Sequence, residues 1–176
     1  MRQLFKIFSV VLLVIMLACD NDKSKHDNQV VDNKLLEELL VKNNVDLLKK
    51  ESDLIDDYVK RNGLEVTKTG TGLRFQILNA GEGELIKKGD IITIQYEVSF
   101  LNGEVVYSSE NDGNKTFVVG RGGVESGLEE GVLKLNKYSE AILILPSHLA
   151  HGLVGDGRKI LHKSVLVYRL KVTDIK

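Results

Sequence analysis

Residues 127–131 read Gly-Leu-Glu-Glu-Gly, and residues 145–152 read Leu-Pro-Ser-His-Leu-Ala-His-Gly. Between them lies the apolar, strand-like run Ala141–Leu145. From Ser126 to Asn136, Leu128, Val132 and Leu135 fall on one helical face, which predicts a short helix. Gly127 and Gly131 carry no Cβ, so the start of that helix can lie close to a sheet. Glu129 and Glu130 sit in the first turn, where negative charge suits the positive end of the helix dipole. The chain's single proline, Pro146, directly follows the strand-like run.

Outward from this centre the apolar period is two. Leu73–Ile77 alternates and ends at Gly81-Glu82-Gly83. Ile91 to Phe100 predicts a long strand with Ile92, Ile94, Tyr96, Val98 and Phe100 on one face. Asn102-Gly103 is a strong hairpin signal, and Glu104 to Ser108 is the return. Lys115 to Val119 predicts another strand, closed by Gly120, and Val165 to Val172 a last one. Strands, one short helix, then strands imply an α+β architecture: an antiparallel sheet wrapped on one short helix, which covers one face.

The N-terminal third has a different character. Arg2 and Lys6 precede an almost wholly apolar stretch, Phe8 to Ala18, and then Cys19. That stretch is shorter than the roughly 20 residues a bilayer span needs, and it reads as a signal peptide over 1–18. Met16-Leu17-Ala18-Cys19 resembles a bacterial lipobox, with Cys19 as the lipidated residue. An ordinary signal peptide with an incidental cysteine, or an N-terminal membrane anchor, is the other reading. Cys19 is the only cysteine, so no internal disulfide is available in an oxidising compartment. Residues 19–32 are polar and charged, as expected of a flexible tether. Over 33–63 the stripe Leu35, Leu36, Leu39, Leu40, Leu47, Leu48, Leu54, Ile55 and Val59 predicts a helical linker capped at Asn62-Gly63. Asn43-Asn44 weakens it, so two helices, the second starting near Ser52, are also compatible. The segment either packs on its own domain or serves over 33–62 as a dimerisation arm.

The ordered set of motifs in the C-terminal part resembles the FKBP-type peptidyl-prolyl isomerases, the immunophilin family. The resemblance rests on Lys88-Gly89-Asp90 before the Tyr96 strand, Ser108-Ser109 after the hairpin, and Phe117-Val118-Val119-Gly120. It includes the Gly127–Gly131 and Leu145–Gly152 segments and Leu166-Val167-Tyr168. It implies an FKBP-like fold over 72–176. The lipobox and helical linker are similar to those of FKBP-like lipoproteins of the Bacteroidetes, including those linked to gliding motility.

Peptide-bond rotation faces a barrier of about 18–20 kcal/mol from amide resonance, and X-Pro exchange takes tens to hundreds of seconds. The resemblance implies catalysis without a nucleophile or an acid–base pair. An apolar pocket holds the proline ring and tolerates the twisted amide, while donors at the rim steady the carbonyl. Carried over residue by residue, Tyr96, Phe117, Val124, Ile160 and Tyr168 keep wall positions. Val106 and Tyr107 stand where the family has Phe-Asp, Leu128 replaces the Trp floor, and His151 replaces a Tyr while still able to donate. Glu125 replaces an aliphatic residue; its backbone N–H remains a donor and its carboxylate is expected to turn to solvent, because an unpaired charge beside an apolar pocket is costly. Lys115 stands where a further wall aromatic is expected.

These departures predict weak isomerase activity on X-Pro bonds of unfolded or exported proteins. The alternative is a degenerate domain acting as a chaperone or protein-binding module. Location is expected in the cell envelope, anchored through Cys19 and facing the periplasm or cell surface. With a net charge of −1 and no basic stripe, nucleic acid is not an expected partner. No cofactor is implied. His148, His151 and His162 lack metal-ligand spacing, so no metal is expected. Ser108-Ser109 lacks an identifiable base, which argues against a hydrolase, and Asp156-Gly157 reads as a turn.

Overall fold

The computed structural model describes residues 25–176, with side chains from 33 onward. The expected signal peptide and Cys19 lie outside them. The chain divides into Met1–Asp46 and Leu47–Lys176.

Helix α1 runs unbroken from Lys25 to Arg61. Its start lies inside the segment expected as a tether, and Asn43-Asn44 does not divide it. Helix propagation adds a hydrogen bond for each residue fixed, so two weak formers inside a long helix cost less than a second nucleation. Its last turn closes with Asn62 N–H donating to the Tyr58 carbonyl and Leu64 N–H to that of Val59, the stop expected at Asn62-Gly63.

Seven strands follow: β1 (Thr67–Lys68), β2 (Arg74–Asn79), β3 (Ile91–Ser99), β4 (Val105–Ser108), β5 (Lys115–Val118), β6 (Glu140–Leu145) and β7 (Leu166–Ile175). They form one antiparallel sheet in the order β1-β2-β6-β7-β3-β4, with β5 also pairing with β3. The β3–β4 hairpin turns at Asn102-Gly103. Gly103 adopts φ 87°, and the Asn102 side chain accepts from Glu104 N–H. One-turn helix α2 (Ser109–Asp112), the main short helix α3 (Ser126–Val132) and a single 3-10 turn over Ser147–Leu149 complete the elements. The two-residue strand β1 and α2 have no periodic signal and were not anticipated. Helix α3 stops earlier than Asn136, although Leu128, Val132 and Leu135 are all fully buried as expected.

Alternation in β6 explains the two cores. Ala141, Leu143 and Leu145 join the α3 side with Leu73, Ile92, Ile94, Val98, Leu128 and Val132. Ile142 and Ile144 face the other way, with Val165 and Val167, and meet Ile55 and Tyr58 of α1. The second face of the sheet is thus covered as well, by the C-terminal part of α1. Arg74 is the latch. Its side chain is 2% exposed; Nη2 donates to Asp56 Oδ1 and Ser52 Oγ, both at 2.7 Å, and Nη1 donates to the Gly72 carbonyl at 2.7 Å. Burying that charge is tolerable because its donors meet acceptors.

The α3 glycines do what the sequence predicts. A Cβ on Gly131 would lie 2.4 Å from Leu143 Cδ1, and one on Gly127 would lie 2.6 Å from Leu145 Cγ. The helix start can therefore rest directly on β6.

Candidate substrate pocket

Three elements bring the site together. β3 supplies Tyr96, β7 supplies Tyr168, and Glu125 stands at the N-cap of α3. With Tyr107, Asp112, Lys115, His151, Asp156 and Arg158 they line an open pocket of about 440 Å³. The Tyr96 and Tyr168 rings meet at 6.3 Å between centroids, tilted by 34°.

Glu125 corrects the expectation that it turns to solvent. Its side chain is 7% exposed. Oε1 accepts from the Tyr168 hydroxyl at 2.8 Å and lies 3.1 Å from His151 Nε2. Oε2 has no hydrogen-bond partner and lies 3.9 Å from Lys115 Nζ. These neighbours offset the desolvation that would otherwise expel the carboxylate. Burial, with the Glu125 charge beside it, pushes the Tyr168 hydroxyl well above its ordinary pKa, so it remains a donor. His151 was expected to offer a free donor at the rim; its Nε2 is instead directed at Glu125.

Lys115 lies where the missing aromatic was expected. Its Nζ is 5.0 Å from the Tyr96 ring centroid and 5.7 Å from that of Tyr168. Tyr107 does not simply fill the pocket. Its hydroxyl donates to Asp156 Oδ2, and Lys159 Nζ lies 4.9 Å from its ring centroid. Asp156 was read only as a turn residue. Its Oδ1 does accept from the Arg158 and Ile160 N–H groups, but its Oδ2 belongs to the pocket. Burial alone would raise its carboxyl; the Tyr107 hydroxyl, those two N–H groups and nearby His151 outweigh it and bring the pKa down to about 2. The exchange was visible in principle: Tyr107 takes the place of a carboxylate, and Asp156 supplies one opposite it.

Of the expected site residues, Tyr96, Tyr107, Glu125, His151 and Tyr168 line the open pocket. Val106, Phe117, Leu128 and Ile160 are buried in the core cluster to which Tyr168 also belongs, and Val124 packs against that cluster. Phe117 is thus buried in the core beneath β5, on the same face as Lys115 two positions away. The hydroxyls of Ser108 and Ser109 serve structure: Ser109 Oγ accepts from Tyr96 N–H and Ser108 Oγ from Asn111 Nδ2.

The loop over the pocket is pinned at its start. Ala150 and Gly152 N–H groups donate to the Ser147 carbonyl. Ser147 N–H donates to Glu51 Oε1 of α1 at 2.8 Å, and His148 Nε2 lies 2.9 Å from the Thr71 carbonyl.

A sheet folded over one short helix, with tyrosines converging at the N-cap, matches known proteins. Residues 82–173 match the family described as FKBP-type peptidyl-prolyl cis-trans isomerase. The chain belongs to that family. A relative from Neisseria meningitidis serogroup B, named a probable FKBP-type peptidyl-prolyl cis-trans isomerase FkpA, is 36% identical over 121 residues, 67% of this chain and 44% of its own. This chain therefore spans less than half the length of that FKBP relative. The crystal structure of FkpA from Escherichia coli superposes with a TM-score of 0.64 at 23% identity, covering 97% of this chain and 81% of that one; this is a likeness of fold. AtFKBP13 gives a TM-score of 0.60 at 30% identity, covering 64% of this chain and 99% of its own. The FKBP fold expected from the motifs is the fold observed.

Proposed function

We propose that this FKBP domain is a peptidyl-prolyl cis-trans isomerase of weak turnover, acting on X-Pro bonds of unfolded or exported proteins. Family membership and the retained Tyr96–Tyr168 frame support the reaction. The observation that carries the attenuation is the buried Glu125 carboxylate with Lys115 across the pocket. A proline ring entering there meets a carboxylate oxygen that it cannot satisfy, which opposes binding and the apolar medium that favours a twisted amide. Donors remain, but Tyr168 and His151 are directed at Glu125. The same carboxylate favours the second reading, a domain that binds client segments without turnover. Proline-limited refolding of a model protein, with the full chain purified in detergent at micromolar concentration, separates the two. Acceleration above the uncatalysed rate is expected; an unchanged slow phase rejects the isomerase and leaves the binding module.

The lipobox at Cys19 supports placement in the cell envelope by a lipid anchor, facing the periplasm or cell surface. Metabolic labelling with a palmitate analogue, lost in Cys19→Ala, is the expected result. Residues 33–62 are proposed as a dimerisation arm on the basis of Leu35, Leu36, Leu39 and Leu40, each more than half exposed. Sedimentation is expected to show a dimer that Leu36→Glu with Leu39→Glu converts to monomer.

A further inference from the structure

Glu125 Oε2 is a buried carboxylate oxygen without a hydrogen-bond partner, and it lies in the pocket wall. The pocket around it is lined by several charged groups. Asp112, Glu125 and Asp156 line it, with Lys115, Arg158 and His151. The rings of Tyr96 and Tyr168 present aromatic faces at the spacing where a cation is attracted, and Lys115 Nζ already occupies that place. Lys115 is 28% exposed at its side chain and sits on a long flexible stem, so its ammonium can return to water easily.

We propose that this pocket accepts a basic side chain, a lysine ammonium or arginine guanidinium of a client segment, with Glu125 Oε2 as its acceptor. Lys115 is the intramolecular occupant that the client's cation replaces. At 3.9 Å Lys115 only approaches the carboxylate, whereas an incoming donor free of the β5 backbone reaches hydrogen-bonding distance. A guanidinium adds a planar face to lay on the tyrosine rings. The inference rests on reading this pocket as the substrate site, and it names the chemistry of the segment that enters.

The test uses the full chain in detergent and fluorescent heptapeptides that differ at one central residue: lysine, arginine, norleucine or acetyl-lysine. Each is made with and without a proline after that residue. Lysine and arginine peptides are expected to bind about tenfold more tightly than norleucine or acetyl-lysine peptides, with or without proline. Glu125→Gln, with its fold checked by near-ultraviolet circular dichroism, is expected to abolish that preference. Lys115→Met, which retains the stem and removes the competing ammonium, is expected to strengthen binding of the basic peptides. Equal binding of lysine and norleucine peptides overturns the proposal, as does weaker lysine-peptide binding in Lys115→Met. X-Pro turnover measured on the same samples decides the isomerase reading separately. Preference without turnover removes only that reading; turnover without preference removes only this one.

Discussion

Glu125 carries a full charge into a place where an apolar neighbour would serve a proline ring better, and only one of its oxygens is satisfied. Replacing it with leucine removes the unmet acceptor and detaches Lys115 from the pocket. Glu125→Leu is therefore expected to raise X-Pro turnover about tenfold, equivalent to about 1.4 kcal/mol off the barrier, read in proline-limited refolding. Asp156 makes the opposite use of charge. Its folded pKa of about 2 lies below the ordinary value near 3.9, so it stabilises the folded chain fully above about pH 4. That contribution fades as pH falls through about 2. Urea unfolding is expected to show Asp156→Asn less stable than the parent at pH 6, with the gap closing as pH approaches 2. Gly131 is constrained by space instead. The added methyl of Gly131→Ala meets Leu143 at 2.4 Å and is expected to cost about 1–3 kcal/mol in thermal unfolding, as overpacked cores do.

Among the elements, the loop after β6 is held by a residue far from it in sequence. Glu51 accepts from Ser147 N–H, and Ser147 in turn ties down Ala150 and Gly152, on either side of His151. Glu51→Ala is expected to cost about 1 kcal/mol and to loosen His151 from Glu125, visible as a changed His151 ring signal by NMR. Element types were largely legible because their periods are strong. Ile91–Ser99 alternates over its whole length, and the apolar run of β6 reflects burial on both faces. The one-turn α2 and two-residue β1 carry no period, and the continuity of α1 across Asn43-Asn44 depends on cooperativity that local propensity does not record.

At the scale of the molecule, five positions that the structure gathers around the candidate pocket were legible, and the states of their side chains were not. Tyr96, Tyr107, Glu125, His151 and Tyr168 were found from motifs that fix backbone places. Whether the Glu125 side chain turns inward depends on Tyr168, His151 and Lys115 arriving from β7, the pocket loop and β5, and no local pattern encodes that meeting. Arg74 gave no signal either, since its partners Ser52 and Asp56 lie in another element. That latch bears on the order of events during synthesis. Residues 51–58 leave the ribosome before any strand, yet the surface they cover needs Ile142 and Ile144 of β6 and Val167 of β7. Ile55 and Tyr58 therefore lack their buried partners from β6 and β7 until nearly the whole chain has emerged. Over that interval the apolar face of α1 waits uncovered, a condition in which a nascent chain is prone to stray association.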